Sequence, residues 1–155
     1  MKKDIALVQA MPLIEEMLAV NSEVAFTPGG NSMLPLLRNQ KDKIVLRKPE
    51  GKLRKYDVPL YKRSNGAFVL HRVVGIKSDG YVMCGDNQTI KEYSVKDDCI
   101  IAVMSSFYRD GKHIYCDSFL YKLYSRIWVL SMPVRKLYRR TRSLLGRIRR
   151  KLFGK

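Results

Sequence analysis

Turn signals cut most of this chain into pieces that suit short β-strands. Ser64-Asn65-Gly66, Ser78-Asp79-Gly80, Gly85-Asp86-Asn87 and Arg109-Asp110-Gly111 join glycine to residues that bond their own backbone or tolerate positive φ. Before, between and after them lie Lys43–Leu46, Val58–Lys62, Tyr81–Cys84, Ile100–Phe107 and Lys112–Cys116, all rich in strand formers, and Ser22–Thr27 alternates polar with apolar residues. Ala67–Ile76 is the longest uninterrupted strand pattern. Asn65-Gly66 suits a tight hairpin turn with two positive φ values. Short strands punctuated in this way predict a mainly β domain, a sandwich or barrel.

The flanks read differently. Ile5, Val8, Pro12, Ile14, Met17 and Leu18 fall on one face of a helix or pair of turns over residues 4–19. From Ser118 the apolar period becomes helical, through Phe119, Leu123, Ile127, Leu130, Val134, Leu137 and onward to Leu152, with Pro133 as a break or kink. The organisation predicted is an N-terminal helical segment 1–20, a β domain 21–117 and a helical tail 118–155. Charge divides along the same boundary. Residues 1–117 hold 18 basic and all 14 acidic residues, whereas 118–155 hold 12 basic residues and no acidic one. The basicity belongs to the tail, which implies an anionic partner.

Three polar residues stand out against the β pattern. Ser32 lies in Gly29-Gly30-Asn31-Ser32-Met33-Leu34-Pro35, where glycine permits a sharp turn and Pro35 stiffens the exit. His71 sits inside Leu70-His71-Arg72-Val73-Val74-Gly75, and Asp86 follows in Cys84-Gly85-Asp86-Asn87. Singly these are a turn serine, a sheet histidine and an Asx turn. Together they supply the types needed for a nucleophile, a base and an orienting acid.

In that order they resemble the signal peptidase I family, related to LexA-type self-cleaving peptidases. Gly30-Asn31-Ser32-Met33-Leu34-Pro35 matches its serine box, the His71 run its base-bearing strand, and Gly85-Asp86-Asn87 its acidic turn. Lys55-Tyr56-Asp57-Val58 looks like a degraded Gly-Asp-Ile/Val strand, so the likeness spans about residues 24–105. The histidine base resembles the archaeal, endoplasmic-reticulum and sporulation-type branch.

The resemblance implies a signal-peptidase-like β fold and a serine endopeptidase that cleaves a precursor peptide. Ser32 would attack, His71 would carry the proton and Asp86 would orient the imidazole, with Asp97 and Asp98 as alternative acids. Gly30, Asn31, Met33 and Pro35 would shape the oxyanion and substrate-positioning loop, and Gly30 replaces the hydroxyl residue that many bacterial members carry there. A peptide or precursor protein is the implied substrate, bound by strand addition to a sheet edge. The other reading is a catalytically inactive peptide-binding module held at a membrane by the tail.

No apolar run approaches the roughly 20 residues needed to cross a bilayer, and Asp4, Pro12, Glu15 and Glu16 break up any signal-like start. A cytoplasmic protein, peripheral on the membrane, is the expectation. Trp128, Arg135, Lys136, Arg139, Arg140, Arg147, Arg149 and Arg150 are the expected contacts with anionic lipid. Nucleic acid fits less well, because the tail carries an apolar face. Cys84, Cys99 and Cys116 lack paired spacing and read as free thiols. With two histidines, of which His113 reads as structural, neither a metal nor another cofactor is expected.

Overall fold

The β-branched and aromatic residues between the turn signals pair into two antiparallel sheets, so the chain is mainly β. The computed structural model describes the backbone of residues 2–20 and 23–153, with side chains for 11–20 and 23–142. The larger sheet runs β1 (Glu23–Phe26), β2 (Lys43–Arg47), β8 (Ile100–Arg109), β3 (Pro59–Lys62) and β4 (Phe68–Leu70), with β9 (Lys112–Tyr115) paired to β8. The smaller sheet is β5 (Arg72–Lys77), β6 (Gly80–Cys84) and β7 (Glu92–Val95).

The period-2 geometry of strands sorts one sheet's side chains between two cores. Leu60, Ala102 and Met104 join Ile44, Leu46 and Phe107 under helix α1 (Lys2–Val20), which contributes Met11, Ile14 and Leu18. The intervening Tyr61 and Val103 point the other way, into a second cluster with Val73, Tyr81 and Met83. The larger sheet is therefore the shared wall of the molecule.

Ala67–Ile76 is not one strand. β4 ends at Leu70, paired with Leu60, and β5 begins at Arg72, paired with Cys84. The partner chain turns away before Pro59, with Tyr56 at φ 84°. After one bond from His71 N–H to the Pro59 carbonyl (3.3 Å), the strand can only pair with the Tyr56–Asp57 segment and then with β6. His71 occupies the crossing point between the sheets. The longest strand is instead β8.

At Arg109–Lys112 both Asp110 (φ 49°) and Gly111 (φ 77°) are left-handed, as a two-residue hairpin requires. At Ser64-Asn65-Gly66 only Gly66 (φ 83°) is, because the loop has three residues closed by Arg63 N–H to the Ala67 carbonyl. The tail forms α2 (Phe119–Leu130) and α3 (Met132–Phe153). The boundary is Ser131. Pro133 lies in the first turn of α3, where a missing N–H leaves no helical bond unmade. No described helix is long and apolar enough to cross a membrane.

Met83 is fully buried at the centre of the second cluster. Met83→Ala is expected to cost about 2–5 kcal/mol, as other large-to-small core changes do. The measurement is a lower urea midpoint with unchanged slope.

Candidate active site

The serine loop is built by anchoring both of its ends. Gly30 takes φ 99° and gives its N–H to Asn39 Oδ1 (2.8 Å), while Gln40 N–H reaches the Pro28 carbonyl (3.1 Å). Met33, Leu36 and Leu37 are buried beneath it, Asn31 and Pro35 are exposed, and Ser32 is half-buried. The Leu34–Pro35 peptide is cis. Asp42, fully buried, accepts from Arg38 (2.7 Å) and Arg109 (2.7 Å), and Arg109 also donates to the Pro35 carbonyl (3.0 Å). Burial alone would raise the Asp42 pKa. The bonds from Arg38 and Arg109 outweigh it and hold the carboxyl at about 2.

The loop docks on the Gly85-Asp86-Asn87 turn. Asn87 N–H donates to the Ser32 carbonyl (2.8 Å), and Asn87 Nδ2 donates to the Asn31 carbonyl (3.1 Å). Gly85 is the point of closest approach. A Cβ there would lie 2.7 Å from the Ser32 carbonyl oxygen and 3.0 Å from His71 Nε2, so only glycine lets the two segments meet. No hydrogen bond joins Ser32 Oγ to His71 among the described residues. Such bonds commonly tighten only when substrate is bound.

The other imidazole nitrogen has a carboxylate partner, and it is not Asp86. His71 Nδ1 lies 3.1 Å from Glu92 Oε1 and 3.3 Å from the Tyr61 hydroxyl. Glu92 is held in turn by the Arg63 guanidinium. Burial raises the Glu92 pKa, but bonds from Arg63 and Tyr61 more than offset this and keep it ionised below the usual glutamate value. Burial lowers the His71 pKa, and Glu92 only partly opposes it. The imidazole is neutral at pH 7, and Glu92 favours the tautomer with Nδ1 protonated and the Nε2 lone pair beside Gly85.

Asp86 is a structural acid. Both its oxygens bind Arg72, from Nε and Nη2 at 2.8 Å each, and both side chains are buried. Arg72 Nη1 is satisfied by the Tyr56 carbonyl (3.0 Å) and Ser125 Oγ of α2 (2.9 Å). The alternative acids are also elsewhere: Asp97 accepts from Tyr81 and Asp98 from Cys99. His113 lies in β9, bonded to Ser106 Oγ (2.8 Å) and stacked on Tyr108.

Three residues expected at lipid face the protein instead. Trp128 Nε1 (3.1 Å) and Arg135 (2.8 Å) donate to the Asp86 carbonyl, with the Arg135 guanidinium 3.8 Å above the Trp128 ring. Arg139 donates to both the Asn87 carbonyl (2.7 Å) and Asn87 Oδ1 (2.6 Å). The physical reason is the acceptor-rich back of the turn, whose carbonyls would otherwise lack donors. Lys136 and Arg140 are exposed. The side chains of Arg147, Arg149 and Arg150 lie outside the described residues.

Glu92, Tyr61, Arg63 and Arg72 were not legible as site residues, although Arg72 directly follows His71. Among the described residues no group of three His, Cys, Asp or Glu side chains is set to hold a metal ion, and the three cysteines are free. No protein-family model, curated protein or solved structure matches the chain.

The two carboxylates should separate on mutation. Asp86→Ala leaves the Arg72 guanidinium buried without its partner and is expected to destabilise the fold by about 3–5 kcal/mol. Glu92→Gln, at a half-buried pair, should cost about 1 kcal/mol or less. Urea denaturation of both variants measures the difference.

Proposed function

We propose that the protein is a serine endopeptidase of the signal-peptidase type, acting through Ser32, His71 and Glu92. The observation that carries this reading is Gly85. Its missing side chain lets the Ser32 loop and His71 Nε2 close on one point, while Nδ1 of the same ring faces an ionised glutamate.

In the proposed reaction Ser32 Oγ attacks the scissile carbonyl and His71 Nε2 takes its proton. Glu92 accepts from Nδ1–H and stabilises the imidazolium, and His71 then protonates the leaving amine. Water repeats the sequence to release the acyl group from Ser32. The Ser32 N–H is the oxyanion donor. β1 and β4, the end strands of the run β1-β2-β8-β3-β4 in the larger sheet, lead into the serine loop and into His71 respectively. A precursor peptide adding as a strand at either edge reaches the reacting pair.

The test is mass-spectrometric cleavage of precursor peptides with Ala-x-Ala junctions. Products from wild type that vanish in Ser32→Ala support the proposal; products that persist in Ser32→Ala overturn it. Product-free spectra from folded wild-type protein across a broad peptide set favour the peptide-binding module. Gly85→Ala should abolish cleavage, because its Cβ would displace Ser32 or His71.

The pH profile follows from His71. Its pKa is lowered on folding, so kcat/KM should fall on acidification with its half-point below the ordinary histidine value near ~6.5. Stability has the same sign: the histidine's contribution is complete above its unfolded pKa near ~6.5 and is lost as pH falls through the lower folded value.

A further inference from the structure

The two tail helices turn their apolar stripe away from the protein. Leu123, Ile127, Leu130, Val134 and Leu137 follow one another at spacings of four, three, four and three, continuing in phase across Ser131, whose φ −73° and ψ −5° are helical. All five are exposed, Leu130 at 72% and Val134 at 70%. The opposite face carries Tyr121, Ser125, Trp128, Arg135 and Arg139, and it is this face that bonds to Arg72 and to the carbonyls of Asp86 and Asn87. A helix on a soluble domain ordinarily buries its apolar stripe and exposes its cations. Here the apolar stripe is exposed as well, and it needs a cover.

We propose that this stripe of α2 and α3 lies in the surface of an anionic lipid bilayer, with the Asp86–Asn87 turn braced on the helices' other side. Charge selects the occupant. Lys122, Arg126, Lys136 and Arg140 are exposed on the same two helices, and no acidic residue follows Asp117. A second copy packed through the stripe would set cations against cations with no acidic residue of the tail to pair them. Nucleic acid would pair with the cations but leave the leucines in water. Anionic lipid satisfies both, because its headgroups meet the cations and its acyl region takes the apolar stripe. Trp128, turned to the protein, stays out of the bilayer. This surface stands apart from the peptidase reading, since its readout is lipid affinity alone.

The experiment is flotation of the full chain with vesicles of phosphatidylglycerol and phosphatidylcholine, against phosphatidylcholine alone. Leu123→Ser/Ile127→Ser serves as the variant. Both sites are exposed and the substitution leaves every charge in place, so circular dichroism should match wild type. The expected results are binding to anionic vesicles and a loss of about tenfold or more in the variant. Trp128 emission should be unquenched by brominated acyl chains. The proposal is overturned if the full chain ignores anionic vesicles, if the variant binds equally well, or if brominated lipid quenches Trp128. A lipid-free dimer that the variant dissociates would overturn it in favour of a second copy. Binding to a DNA duplex without vesicle binding would overturn it in favour of nucleic acid.

Discussion

The site depends on one buried ion pair, Arg72 with Asp86. Arg72 is the residue after His71 and Asp86 the residue after Gly85, so the pair staples the base-bearing segment to the turn on which the serine loop rests. An ion pair this deep survives desolvation only when its remaining hydrogen-bonding capacity is met. Arg72 meets it with the Tyr56 carbonyl and Ser125, and the latter carries the network into α2. Strand, turn and helix are held in one polar cluster, and the spacing between His71 and the Ser32 loop is fixed by it.

Two carboxylates close to the histidine thus divide the labour. Asp86 is spent on architecture, fully engaged by a guanidinium that never gives up its proton. Glu92 is half-buried, paired to Arg63 at the rim, and directed at His71 Nδ1. The loop carrying Ser32 has its own buried acid, Asp42, bridged to Arg38 and Arg109. The serine loop, the Asp86 turn and Glu92 are each held by a separate Arg–carboxylate pair.

Much of the fold was readable because turn chemistry is local. Asp110-Gly111 announces its hairpin through the φ values it accepts, and the change of period at Ser118 announces the helices. That the Ser32 loop and the His71 run lie together was suggested for a related reason, since each is a short run whose residues shape it. The carboxylate beside His71 was not legible. Chain order points to Asp86, but which carboxylate meets His71 Nδ1 is decided by the sheet crossing at that residue, a tertiary event that brings β7 alongside. Glu92 lies in a short polar strand with no periodic signal. The tail failed in a similar way: periodicity finds the two faces of a helix but not which one meets the domain. Trp128, Arg135 and Arg139 have the chemistry of lipid contacts, yet the bare carbonyls of Asp86 and Asn87 claim them.

The sheet crossing at His71 has a developmental meaning for the chain. In the proposed reading the nucleophile hangs from the larger sheet, the acid belongs to the smaller one, and the base is the residue that passes between them. A nascent or half-folded polypeptide with either sheet alone holds no complete set. In that reading hydrolytic competence requires both sheets to be docked at His71, and neither half of the fold is a protease alone.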